Sequence, residues 1–203
     1  MNPRVLIALV VCAVLALGTV AALGVARDDD GRSAASAPLR FEGATLPAGV
    51  RAPGLRAVRT QDGERLTMRS LRGDPVIVTF LYTTCEDTCP AQAQQIKGAL
   101  AELGTDVPAL AIAVDPARDD PASARAFLSK QRMTGRIDFL LGARPALHRL
   151  WRAYGAQPQR EDLEHTARLV LVDPRGIQRV SFPIDQLTPE RLAHDLRLLA
   201  DGN

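Results

Sequence analysis

Pro75-Val76-Ile77-Val78-Thr79-Phe80-Leu81-Tyr82, followed closely by Cys85-Glu86-Asp87-Thr88-Cys89-Pro90, is the stretch on which the reading of this chain turns. The first eight residues form an unbroken apolar run rich in β-branched and aromatic side chains. Strands buried on both faces, as in the middle of an α/β sheet, have that composition. The cysteine segment then hands over to Ala91–Leu103, rich in Ala, Gln and Leu and helical in composition. Pro90 suits a first helical turn, and Gly104 suits a helix end.

Working outward toward the C-terminus, Leu110–Val114 reads as another apolar strand, ended by Asp115-Pro116. Pro121–Gln131 reads as a helix with Ala126, Phe127 and Leu128 inward. Ile137–Leu141 is a short strand and Pro145–Tyr154 a further helix. Arg168–Val172 and Gln178–Phe182 are strands joined by the turn sequence Asp173-Pro174-Arg175-Gly176. Thr188 can cap a closing helix that starts at Pro189 and runs through Ala200, with Leu192, Leu196 and Leu199 on one face. Toward the N-terminus, Leu55–Val58 and Arg65–Met68 flank Asp62-Gly63 and predict a hairpin. Strands alternating with helices, then a hairpin and a helix, describe an α/β fold with a mixed central sheet flanked by helices. The thioredoxin-like fold is the candidate.

Val5–Ala26 carries no charged side chain. As a helix it would be roughly 33 Å long, enough to cross the hydrocarbon core. Arg4 and the amino terminus precede it, so the rest of the chain is expected outside the cytoplasm, on the periplasmic side of an inner membrane. Gly24-Val25-Ala26 offers a signal-peptidase alternative, but a secretory apolar region is typically about 7–15 residues. Cys12 reads as a small residue within the apolar stretch rather than a lipidation site. The predicted organisation is an anchor at 1–26, a flexible tether at 27–53 and a globular domain at 54–203. The 203 residues are 46% hydrophobic, which is ample for one core. The net charge of +2, from 25 basic and 23 acidic residues spread along the chain, gives no reason to expect a nucleic-acid partner.

Cys85 and Cys89 fall where the buried strand meets the helix. Three intervening residues bring two side chains to one helical face, so the pair can form a disulfide or share a metal ion. A helix N-terminus favours thiolate, the form needed for either chemistry. An inert staple is the bland alternative, but so short a loop restricts the unfolded chain little. Of the three histidines, His148 sits in an amphipathic helix and His194 beside Asp195 in the last helix. Both read as surface positions. His165 stands in the polar loop Glu161–Thr166 immediately before an apolar strand. In a thioredoxin-like sheet, that segment comes up against the cysteine loop. Two thiolates and an imidazole suit Cu(I). A structural zinc site would recruit a fourth ligand, and an iron–sulfur cluster more cysteines.

Three segments carry a family likeness. They are Cys85-x-x-x-Cys89-Pro90, Val114-Asp115-Pro116-Ala117-Arg118-Asp119-Asp120-Pro121, and His165-Thr166 ahead of Leu169–Gly176. In that order they resemble the SCO/SenC family of thioredoxin-like copper proteins, over roughly Leu55–Ala200. The resemblance implies copper bound by Cys85, Cys89 and His165; Cu(I) is the expected form, with Cu(II) left open beside it. It further implies delivery of copper, or preparation of thiols, for the binuclear copper site of cytochrome c oxidase or another exported copper client. Glu86 stands where family members commonly have Pro, and Glu164 where Asp often precedes the histidine. An exported thiol–disulfide oxidoreductase would use the same cysteines, although its usual spacing is two residues and it would not need His165. A peroxidase fits less well, and a passive copper sensor or scaffold is a third class.

Overall fold

The computed structural model describes residues 40–156 and 168–202. The elements run β1 (Ala44–Thr45), β2 (Val76–Leu81), α1 (Thr88–Leu103), β3 (Ala109–Ala113), α2 (Pro121–Gln131), β4 (Asp138–Leu140), α3 (Arg144–Ala153), β5 (Arg168–Val172), β6 (Gln178–Pro183) and α4 (Pro189–Ala200), with a 3₁₀ turn at Ile184–Gln186. Six strands form one mixed sheet in the order β1-β6-β5-β2-β3-β4. β2 pairs in parallel with β3, and β3 with β4, while β5 runs antiparallel to both β2 and β6. The decisive run therefore lies in the centre, and all six residues of β2 are buried. This mixed sheet flanked by helices is the thioredoxin-like arrangement expected from the sequence.

The β2–α1–β3 and β3–α2–β4 crossovers advance in the same direction along the sheet. Right-handed connections therefore place α1 and α2 on one face. α1 also packs closely on α4. Gly98 permits that approach, since a Cβ there would stand 2.8 Å from Cγ of Pro189. Trp151 ties α3 to the end of β3: its indole N–H donates to the Ala113 carbonyl at 2.9 Å, inside the core. Thr188 caps α4 by accepting from the Arg191 N–H, and Leu192, Leu196 and Leu199 are buried as their spacing predicts.

Three expectations are corrected. Residues 40–53, assigned to the tether on composition, are bound to the domain. β1 pairs antiparallel with β6, and the Glu42 and Gly43 amides donate to the buried Asp195 carboxylate at 2.8 and 2.9 Å. A polar, Gly-rich stretch can be ordered through its backbone, which composition does not reveal. Asp62-Gly63 makes the predicted turn, closed by Thr60 N–H to Glu64 O at 3.0 Å, but no hairpin strands flank it. Arg59 pairs instead with Leu141, beyond the end of β4. In α2 the inward residues are Ala124, Phe127, Leu128 and Gln131, with Ala126 exposed.

Among the described residues no helix is long and apolar enough to cross a membrane. The predicted anchor at 1–26, Cys12 and the loop carrying His165 lie outside them.

Candidate functional site

Because β2, β3 and β4 are parallel, their C-terminal ends emerge at one edge of the sheet. β2 delivers Tyr82–Asp87 to this edge, and the chain turns there into α1. Asp87 stands at the N-cap but makes no side-chain cap bond. The sulfur of Cys85 serves instead, accepting from the Cys89 N–H at 3.1 Å. A helix start leaves its first amides without intrahelical partners, and here a thiol occupies one of them. That bond fixes Cys85 against the first turn of α1, with Cys89 inside the same turn.

The two thiols have different surroundings. Cys89 is fully buried, whereas Cys85 is half-buried, and the two are not joined. Burial pushes the Cys89 thiol up from its ordinary value of 9.0. A hydrogen bond with Cys85 adds to the rise, and one to the Tyr82 backbone opposes it. Thiolate at the helix start was the expectation. For Cys89, desolvation outweighs the helix dipole. The Tyr82 hydroxyl is hydrogen-bonded to Cys85 and is itself pushed up to about 12, mainly by burial.

Asp119 braces the loop from the β3 side. Its Oδ1 accepts from both the backbone N–H and the hydroxyl of Thr83, each at 2.8 Å, and its Oδ2 accepts from Asp115 N–H at 3.1 Å. Burial raises the Asp119 pKa against the pull of these donors. Asp115 is in turn paired with Arg118. On the other side of Cys89, the buried Gln92 donates to the Arg168 carbonyl at 3.3 Å, linking α1 to the first residue of β5.

The structure thus brings Cys85 and Cys89 together, and His165 falls outside the described residues. Among the described residues no group of three His, Cys, Asp or Glu side chains is arranged to hold a metal ion. His148 is exposed and lies edge-on to Trp151, with ring centroids 6.1 Å apart. His194 is 2.9 Å from Asp195 and has no place in the thiol site. Tyr82, Asp119 and Gln92 were not singled out from sequence. For Asp119, the Asp115-Pro116-Ala117-Arg118-Asp119 turn was the available signal, though its spacing alone does not show which loop it holds. Chemically, two adjacent thiols of unequal access can release protons to bind a soft ion. They can also close to a disulfide by giving up two electrons and two protons.

The chain is similar to known proteins. The SCO1/SenC family model matches residues 57–201. The SCO1 homologue of Bacillus subtilis is 27% identical over 58% of this chain, and that match spans 66% of its own length, just under two thirds. SenC of Rhodobacter capsulatus is 28% identical over 70% of this chain and 68% of its own. The structure of Bradyrhizobium japonicum ScoI with copper bound is 29% identical, with a TM-score of 0.63 over 74% of this chain and 99% of that one. The sheet order, the cysteine pair at the helix start and a family match over residues 57–201 agree: this chain belongs to the SCO1/SenC family.

Proposed function

We propose that this protein binds copper through Cys85, Cys89 and His165 and serves the assembly of the copper site of cytochrome c oxidase or a related exported copper client. The observation that carries the reading is the pair of hydrogen-bonded thiols at the start of α1, in a chain of this family. Copper here is cargo. Cys85, the more accessible sulfur, is the one an incoming donor meets first, and Cys89 closes the site from within.

His165 as third ligand is supported by topology. β5 is antiparallel to β2, with Leu169 opposite Thr79, so Arg168 lies at the edge that carries the cysteine loop. His165 precedes Arg168 by three positions, and an extended chain spans at most about 11 Å over that length. A buried tie from Gln92, one turn beyond Cys89, holds Arg168 at that edge. Residues 1–26 would anchor the domain on the outer side of a membrane, through a charge-free stretch long enough to span it.

Copper stoichiometry under reducing, anaerobic conditions tests the assignment. One tightly held Cu(I) per chain is expected, abolished by Cys85→Ala or Cys89→Ala and weakened by His165→Ala. Undiminished binding in either cysteine variant sinks it. Thiol–disulfide exchange is the second reading, favoured by the unequal burial of the two sulfurs. There the Cys85 thiolate attacks a substrate disulfide, and Cys89 then releases the reduced product by forming the Cys85–Cys89 bond. A readily cycled disulfide without retained copper would favour that chemistry.

A further inference from the structure

A basic groove lies on the same sheet edge as the thiols. Segment 56–65 folds over the end of β4, held by Arg59 N–H to Leu141 O at 2.9 Å and Leu141 N–H to Arg59 O at 2.8 Å. Between this segment and the start of α2 is an open cavity of about 420 Å³, lined by Arg56, Arg59 and Arg65 and by apolar surface from Val58, Pro121 and Leu141. Arg59 donates to the Gly63 carbonyl at 3.0 Å, which fixes its guanidinium. Arg56 and Arg65 are exposed and make no side-chain hydrogen bond or ion pair among the described residues. Of the neighbouring acids, Asp62 pairs with Arg125 at 3.6 Å, and among the described residues neither Asp62 nor Glu64 forms an ion pair with Arg56, Arg59 or Arg65. Three cations therefore face one recess with no carboxylate paired to any of them.

The groove is tied to the thiol loop through the start of α2. Pro121 on its wall is two residues from Asp119, and Asp119 holds Thr83, itself two residues from Cys85. A segment seated in the groove would therefore lie along the edge at which Cys85 is reached. Guanidinium forks match carboxylates, and apolar walls between them accept side-chain stems. A flat layer of lipid headgroups matches a recess poorly, whereas an extended peptide can enter it.

We propose that this groove docks an acidic segment of the protein with which Cys85 exchanges its cargo, and so sets the partner's approach to the thiols. The identity of the cargo rests on the copper reading above; the docking surface does not. The test uses the full chain and a fluorescent, N-acetylated hexaglutamate peptide as probe, with hexaglutamine as its neutral counterpart and vesicles of anionic phosphatidylglycerol as the lipid alternative. Hexaglutamate should bind in preference to hexaglutamine and weaken with added salt. R56E/R65E should weaken it about tenfold or more, as reversal of two contacting charges does. R56Q and R65Q singly should each give a smaller loss, and copper stoichiometry should not change in any of the three. Equal hexaglutamate affinity in wild type and R56E/R65E overturns the proposal, as does equal binding of the two peptides. Vesicle binding that depends on Arg56 and Arg65, with no peptide binding, overturns it in favour of a lipid surface. Loss of copper binding by wild type with peptide binding intact would reject the copper reading alone.

Discussion

At the scale of single residues, the chemistry of this site is governed by proton occupancy at Cys89. Its folded pKa lies above the ordinary 9.0 because burial penalises the thiolate. At neutral pH the thiol is therefore protonated, and a metal ion bound by this sulfur would have to displace that proton. Apparent Cu(I) affinity should rise by about tenfold per pH unit for this group between pH 6 and 9, measured by competition with a Cu(I) chelator at each pH. An affinity independent of pH would mean that the Cys89 sulfur is not a ligand. Linkage gives the corresponding sign for stability. An acid raised on folding contributes fully below its unfolded pKa and loses that contribution as pH rises, so the reduced, metal-free domain should weaken above about pH 9. Asp119 is the other residue on which the loop depends. Asp119→Ala would leave Thr83 N–H, Thr83 hydroxyl and Asp115 N–H without their acceptor. A loss of roughly 2–4 kcal/mol in urea unfolding is expected, with faster alkylation of Cys89 as the loop loosens. Unchanged alkylation would show that the Tyr82–Asp87 turn holds itself without this brace.

Among elements, the contact of α1 with α4 decides how firmly the thiol-bearing helix is seated. Gly98 faces the Pro189 ring, whose Cγ cannot swing away as a flexible side chain would. Gly98→Val should cost about 2–3 kcal/mol through overpacking, with no helix-propensity gain large enough to offset it. A thermal midpoint at or above that of wild type would show that the two helices can separate freely. Most elements were legible in the sequence. β2, α1 and α4 carry strong local signals: an unbroken apolar run, a proline near the helix start, and a capping Thr followed by leucines on one face. Asp62-Gly63 predicts a hairpin that does not form, because its turn is real while its flanks are committed elsewhere, Arg59 to Leu141 and Val58 to the core. Local pattern registers turn chemistry but not which strand edge claims the neighbouring backbone. The site shows the same division. The cysteine pair was readable from spacing, whereas Asp119 and Gln92 act through contacts 36 and 76 residues away in sequence.

For the molecule as a whole, the least legible feature is how the chain enters the domain. The residues leading into β1 have no apolar periodicity, yet they are bound at both the backbone and the side-chain level. Asp195, buried in α4, accepts from the amides of Glu42 and Gly43, and His194 flanks it at 2.9 Å. Arg191 reaches the Glu42 carbonyl and lies 3.6 Å from the Glu42 carboxylate. Gly43 is required here, because a Cβ would stand 2.4 Å from Val180 Cγ1. The last helix thus clamps the first strand, and β1 closes the free edge of β6. An uncovered edge would offer unpaired backbone groups to other chains. Asp195→Ala removes the acceptor for two backbone amides, one of them beside a packed glycine. It should cost roughly 2–4 kcal/mol and abolish slow hydrogen exchange at Glu42 and Gly43. Proteolysis should then cut within 40–53, while the thiol edge, on β2 and α1, keeps its reactivity toward Cys85 alkylation. If the Glu42 and Gly43 amides stay protected in this variant, β1 is held by the sheet alone. If Cys85 reactivity shifts along with them, α4 couples the entry of the chain to the thiol site through its packing on α1.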